Sequence, residues 1–178
     1  AVPSATILRP SVIFGPEDGF TNRFAALAQI SPVLPLIGGG ATKLQPVYAG
    51  DVATAVADAV DGKTKAGATY ELGGAEVLTM REIMEFILAT IERKRLLVSL
   101  PFGLAKLQAL FLQFAPGVFK LTPDQVALLR SDNVVSDAAK GAGLSLEGLG
   151  IAAASLESIA PQYLWRFRKA GQFAHKGA

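Results

Sequence analysis

Ala5-Thr6-Ile7-Leu8-Arg9-Pro10-Ser11-Val12-Ile13-Phe14-Gly15-Pro16 is the stretch from which the fold is read. Residues 6–8 are β-branched and apolar and predict a strand, and Gly15-Pro16 is a strong stop signal. Residues 10–14, between strand and stop, form an extended segment. Its φ is fixed at Pro10, and its backbone is free to meet a ligand. A strand that runs straight into such a segment places chemistry at a strand end, and the remaining chain is organised around that point.

Composition sets the outer bounds. The 178 residues suit one domain with a sizeable core. A hydrophobic fraction of 51% with only 18% charged residues excludes a disordered chain, and leaves apolar surface to be covered by something beyond these residues. The net charge of +2 is too slight to imply nucleic acid, although the sequence pI is about 9.0. Without cysteine there is no disulfide, thiolate metal site or cysteine nucleophile, and the compartment stays open. One histidine, His175 in the tail, makes neither a His-based triad nor a zinc site, so no metal is expected. The first residues do not read as a signal peptide, and there is no internal repeat.

Along the chain, residues 20–30 predict a helix whose Phe20, Phe24, Leu27 and Ile30 share one face, ended at Ser31-Pro32. Asn22 and Arg23 fall in its first turn. Residues 34–42 carry three glycines but no following Lys-Ser/Thr, so they read as a flexible turn and not as a phosphate loop. Residues 45–48 predict a strand, and Asp51 is expected to cap a helix over residues 52–60. Residues 69–72 are a further strand. Thr79-Met80-Arg81-Glu82 is a capping box before a helix that buries Ile83, Phe86, Ile87 and Ile91.

Residues 96–119 are the most apolar part, but Pro101, Lys106, Gln108, Gln113 and Pro116 interrupt them. They fall short of the ~20 apolar residues of a membrane span. Leu104, Leu107, Phe111 and Phe114 share a helical face, and Arg93-Lys94-Arg95 stands just before the segment. Two readings follow: a helix packed into the core beside a solvated basic turn, or an element held at an anionic membrane surface. Thr122 and Pro123 start another helix, with Val126 and Leu129 as its apolar stripe and Arg130 in its last turn. Residues 131–136 read as a polar turn, residues 144–150 as a linker or short turn, and residues 155–160 as a last short helix broken or kinked at Pro161. The aromatic and basic tail from Tyr163 to Lys169 is expected to dock on the body of the protein or on a partner.

The Arg9-Pro10…Phe14-Gly15-Pro16 pattern resembles the strand-end motif of extended and atypical short-chain dehydrogenase/reductases. The segment Gln45-Pro46-Val47-Tyr48-Ala49-Gly50-Asp51-Val52-Ala53 is similar to the second hallmark of that superfamily. Leu121-Thr122-Pro123-Asp124-Gln125-Val126, Leu129-Arg130-Ser131-Asp132-Asn133-Val134-Val135 and the closing Tyr163-Leu164-Trp165-Arg166-Phe167-Arg168 look like the branch that includes the nucleotide-binding accessory subunit of respiratory complex I.

The resemblance implies an α/β fold: the C-terminal portion of an extended Rossmann-type reductase, helix-rich with a few short strands. Residues 1–178 would be its substrate-binding lobe, with the phosphate loop and the Tyr-x-x-x-Lys pair upstream. It implies NAD or NADP in the full-length protein. Pro10, Ser11, Val12 and Ile13 would contact the nicotinamide carboxamide through their backbones, Phe14 would line the far side of the ring, and Asn22, Arg23 and Tyr48 would face the substrate. It further implies a quinone-related small molecule and a respiratory complex or membrane surface as partners, and a cytoplasmic protein peripheral on the inner membrane.

Two departures point away from nucleotide sugars. Val12 stands where epimerases carry Asn, and Leu44 where many carry Arg. Two functions remain: a nucleotide-binding respiratory accessory protein, or an epimerase, dehydratase or reductase whose catalytic Tyr acts as general acid/base.

Overall fold

The computed structural model describes residues 4–115, 117–169 and 171; His175 lies outside the described residues. The elements in chain order are β1 (Ile7–Pro10), β2 (Ile13–Phe14), α1 (Thr21–Ile30), β3 (Val33–Ile37), β4 (Lys43–Leu44), β5 (Val47–Tyr48), α2 (Ala49–Val60), β6 (Thr69–Leu72), β7 (Leu78–Thr79), α3 (Met80–Thr90), β8 (Leu96–Leu100), α4 (Phe102–Leu112), α5 (Pro123–Leu128), α6 (Asp137–Gly141), α7 (Leu156–Ile159) and α8 (Pro161–Leu164). Among the described residues the strands pair as β1 with β6, β2 with β5 and β3 with β8, all parallel, and β4 with β7 antiparallel. Parallel pairs need crossovers, which the intervening helices supply, so the chain is an α/β fold.

The first strand is displaced from its predicted span and runs to Pro10. Ile7 N–H donates to Ala68 C=O and Ser11 N–H to Leu72 C=O, so odd-numbered residues face β6. Pro10 therefore falls where its missing N–H is not asked for. Strands β3 and β8 were not expected. Pro35 disguises β3 as a turn, and Leu96–Leu100 blends into the apolar run before α4. The three glycines after β3 make a 3-10 turn with φ of 61°, 74° and 74°. A Cβ on Gly38 would stand 2.4 Å from the Phe102 ring, so the site takes only glycine.

Helix α3 anchors the main core. Its capping box is present on both sides: the Thr79 hydroxyl accepts from Glu82 N–H, and the Glu82 carboxylate accepts from Thr79 N–H. Met80, Ile83, Met84, Ile87 and Leu88, with Ile91 just past the helix, are buried against α1, β3 and the C-terminal helices, and Phe86 packs at the edge. In α1 the buried residues are Thr21, Ala25 and Ala28; Phe24 and Leu27 flank them, and Ile30 is exposed. The small residues let α1 lie close to the core, which a stripe of large residues would not permit.

A second cluster joins Val47, Ala55, Tyr70, Leu72 and Leu146. Of the two readings of residues 144–150, linker or short turn, the structure gives a packed turn. Leu146 is buried, and Leu144 C=O accepts from Glu71 N–H at 2.9 Å, extending the β1–β6 pair. Asp51 is not a cap either. Helix α2 starts two residues before it, and its carboxylate accepts from Ala154 N–H at 2.8 Å, tying α2 to the segment before α7. The third cluster sets Ala105 and Ala109 of α4 against Ile37 and Val126. Of the two readings of this segment, the core-packed one fails on its facing, because Leu104, Leu107, Phe111 and Phe114 are exposed. Helix α5 is capped by Thr122 as expected, but ends before Arg130, whose guanidinium lies 5.5 Å from the Phe102 ring centre. The tail docks on the body: Tyr163 and Leu164 are buried, and Arg168 Nε donates to Thr90 C=O at 2.9 Å.

Candidate functional site

The carboxyl ends of β1 and β6 open into a hollow of about 330 Å³ lined by Arg9, Pro10, Ser11, Glu71, Leu72 and residues 132–136. Ligands of open α/β sheets bind outside the carboxyl ends of the strands, and a few hundred Å³ suits one end of a dinucleotide. The wall formed by residues 132–136 is not a free polar turn. Leu44 and Asn133 form a parallel bridge, Ser11 Oγ donates to Asn133 C=O at 2.7 Å, and Asn133 N–H donates to Lys43 C=O at 2.8 Å. Gln45 completes the clamp: its Oε1 accepts from Val135 N–H at 2.9 Å, and its Nε2 donates to Gly74 C=O at 2.8 Å. Gly74 must be glycine, because a Cβ there would stand 1.7 Å from the Pro46 carbonyl oxygen.

Arg9 and Glu71 are register partners at the mouth of the hollow, and the Glu71 carboxylate accepts from Ser136 N–H at 2.8 Å. That backbone bond, then the Ser136 hydroxyl and the Arg9 charge, hold the Glu71 carboxyl below the usual carboxylate range, against an opposing push from burial.

The expected site residues fall into separate groups. Pro10 and Ser11 line the hollow. The Ser11 hydroxyl is committed, since it donates to Asn133 C=O and accepts from Gln45 N–H at 3.2 Å. Val12 C=O accepts from Val47 N–H, and Ile13 pairs with Val47 while leaving part of its side chain exposed. Phe14 is fully buried, 5.9 Å from the half-buried Tyr48 ring, so these two meet each other inside the core. Asn22 and Arg23 start α1, outside the lining of the hollow. Asn22 Nδ2 donates to the carbonyls of Gly15, Pro16 and Asp18, and its Oδ1 accepts from Arg166 at 2.8 Å. The Arg23 guanidinium donates to Lys120 C=O, and burial pushes its pKa down.

Asp18 and Tyr163 were missed. The Asp18 carboxylate accepts from the N–H groups of Gly15, Phe20 and Asn22, from Thr21 Oγ at 2.5 Å and from the Tyr163 hydroxyl at 3.2 Å. It thus fixes the turn after β2, starts α1 and fastens α8 to both. Burial, with the nearby Asp18 charge, pushes the Tyr163 hydroxyl pKa up, while the Thr21 hydroxyl bond opposes the rise. The Asp-x-x-Thr spacing ahead of an apolar helix was the available signal for Asp18. Nothing local pointed to Tyr163, 145 positions away. Among the described residues no cluster of His, Asp or Glu could hold a metal ion, and no helix is long and apolar enough to cross a membrane.

Comparison with known proteins adds a second line of argument. No protein-family model matches the chain. The mitochondrial NADH dehydrogenase [ubiquinone] 1 alpha subcomplex subunit 9 of Arabidopsis thaliana is 37% identical over 96% of this chain and 44% of its own length. Its namesake from Rattus norvegicus is 31% identical over 93% of the chain and 43% of its own length. The 40 kDa subunit of mitochondrial NADH-ubiquinone oxidoreductase from Neurospora crassa is 28% identical over 93% of the chain and 42% of its length. The chain therefore spans less than half of these relatives. Among solved structures, the dTDP-glucose 4,6-dehydratase of Streptomyces venezuelae, with NAD and TYD bound, superposes with a TM-score of 0.62 at 17% identity, over 96% of this chain and 46% of that one. The UDP-glucose 4-epimerase of Thermotoga maritima gives 0.60 at 19% identity, over 93% and 46%. At such identities the likeness concerns the fold, which is that of Rossmann-type epimerases and dehydratases.

Proposed function

Because this chain is a homologue of the alpha-subcomplex subunit 9 of NADH:ubiquinone oxidoreductase, we propose that it is the substrate-lobe part of a nicotinamide-nucleotide-binding accessory protein of respiratory NADH oxidation. In the full-length protein, residues 1–178 would form the C-terminal lobe. The observation that carries the proposal is the hollow at the carboxyl ends of β1 and β6, with Pro10 and Ser11 on its rim and Arg9 at its mouth. With the Ser11 hydroxyl already bonded, a bound ring would be met by the backbone of residues 10–13, and Arg9 would supply positive charge. The sequence contains no G-x-G-x-x-G fingerprint, so these residues would hold the nicotinamide end only, and the pyrophosphate needs other residues of the full-length protein. Phe14 and Tyr48 would act from beneath, keeping the segment extended, while Asn22 and Arg23 would shape the adjoining substrate side. NAD or NADP, a quinone-related partner and a peripheral place on the respiratory membrane belong to the same proposal.

Two measurements on the full-length protein test it. Calorimetric titration with NADH and with NADPH should show micromolar or tighter binding of at least one, about −8 kcal/mol. Affinity purification from its native membranes should bring down NADH:ubiquinone oxidoreductase. Absence of nucleotide binding would overturn the nucleotide reading, and absence of the complex would overturn the accessory role.

A further inference from the structure

Helix α4 is built the wrong way round for a surface helix. Its small residues Ala105 and Ala109 are fully buried, whereas Leu104, Leu107, Leu110 and Phe111 face outward with Phe114 just beyond the last turn. Phe111 is 73% and Phe114 84% exposed. At 100° per residue, residues 103, 104, 107, 110, 111 and 114 make one continuous outward face, every one of them apolar or glycine. Lys106 and Gln113 border it on one side, and Gln108 on the other. A helix packed on a globular core carries its polar residues outward. The reverse arrangement leaves a large apolar surface in search of a partner.

Charge identifies that partner. From Arg93 to Pro123 the chain contains no Asp or Glu, while Arg93, Lys94, Arg95, Lys106 and Lys120 are all cationic. The tripeptide, however, is largely occupied inside the fold: Arg93 Nε donates to Phe167 C=O at 3.0 Å, and Arg95 Nε to Ala28 C=O at 2.7 Å. Besides Arg130, which lies over the Phe102 ring at its start, the cations at α4 are Lys106 on its flank and Lys120, whose neighbour Leu121 donates its N–H to Leu112 C=O and so sits against the helix end. Both lysines are exposed. An outward face of Leu and Phe bordered by lysines, with no acid in the segment, matches an interfacial helix lying in the headgroup region of an anionic bilayer. Eleven residues are too few to span it. A protein interface would deplete lysine rather than acid alone.

We infer that the outward face of α4, together with Phe114, Lys106 and Lys120, is a reversible attachment site for an anionic membrane surface. This deepens the peripheral membrane place named in the proposed function and rests on that part of it, but it does not depend on nucleotide binding. The apolar side chains enter the boundary between headgroups and acyl chains, and the lysine stems lie along them with their ammonium groups at lipid phosphates.

The test is co-sedimentation of the full-length protein with vesicles of phosphatidylcholine alone and of equal parts phosphatidylcholine and phosphatidylglycerol, at low and high salt. Binding should favour the anionic vesicles and weaken with salt. The double variant Phe111→Ser/Phe114→Ser should lose about a hundredfold in vesicle affinity. Lys106→Gln and Lys120→Gln should each lose about fivefold on anionic vesicles only. The double variant should keep its thermal midpoint and its nucleotide binding, since both rings point away from the core. Three results would overturn the inference: no vesicle binding, binding unchanged in the double variant, or a double variant that turns a sedimenting dimer into a monomer. The last would assign the face to a second copy of the chain.

Discussion

Asp18 and Tyr163 show how one half-buried carboxylate can join distant parts of a chain. Five donors meet the Asp18 oxygens, and the Tyr163 hydroxyl is the one that reaches it from α8. Tyr163→Phe should lower stability by about 1 kcal/mol, read from the denaturant midpoint with the slope unchanged. The same variant should alter the alkaline limit. The folded Tyr163 pKa lies above its ordinary value of 10.0, so the unfolded chain ionises first, and the wild type loses stability as pH rises beyond that value. Tyr163→Phe should flatten this decline. Glu71 works in the opposite direction. Its carboxyl lies below the ordinary 4.5, so its contribution is complete above that pH and is lost as pH falls through the lower folded value. Glu71→Gln should remove that part of the acid sensitivity and loosen residues 132–136, seen as faster amide exchange at Ser136. Little of this was legible beforehand. Pro10 and Ser11 could be placed at a strand end from the local pattern, but the Ser11–Asn133 and Asp18–Tyr163 bonds join residues more than a hundred positions apart, and no local spacing encodes them.

Elements whose signals are local were read well. The strand Thr69–Leu72, the capping box at Thr79 and the N-cap at Thr122 need only their own neighbours. Strands β3 and β8 were hidden because Pro35 carries a turn signal and Leu96–Leu100 an undirected apolar one; what makes them strands is their pairing with each other. Helix α4 misled for a related reason. Its periodicity defines a large-residue face, and the structure buries the small-residue face instead, because Ala105 and Ala109 allow α5 to approach. The load on α3 is testable. Ile87→Ala, in the middle of the main core, should cost about 2–5 kcal/mol, and Thr79→Ala about 1 kcal/mol through loss of its cap. Gly74→Ala should be worse than its size suggests, about 3 kcal/mol or more, because the Pro46 carbonyl leaves no room for a Cβ. Thermal unfolding of the three variants should rank Thr79→Ala as the mildest.

At the scale of the whole molecule, β1 pairs with β6 alone among the described residues, and parallel strands are normally flanked and covered on both faces. The side of β1 away from β6 therefore offers an open edge. The 178 residues by themselves should self-associate and bind dyes for exposed apolar surface; a dilute stable monomer without dye binding would contradict this. They should also bind NADH and NADPH far more weakly than the full-length protein, since no phosphate loop is among them. The central claim is that the strand ends at Pro10 and Leu72 receive the nicotinamide end of a nucleotide. Hydrogen–deuterium exchange of the full-length protein with and without NADH or NADPH tests it most directly. The account predicts slower exchange on nucleotide binding in residues 9–14, 71–74 and 132–136. Binding that leaves all three segments unchanged, with protection confined to other regions, would contradict it.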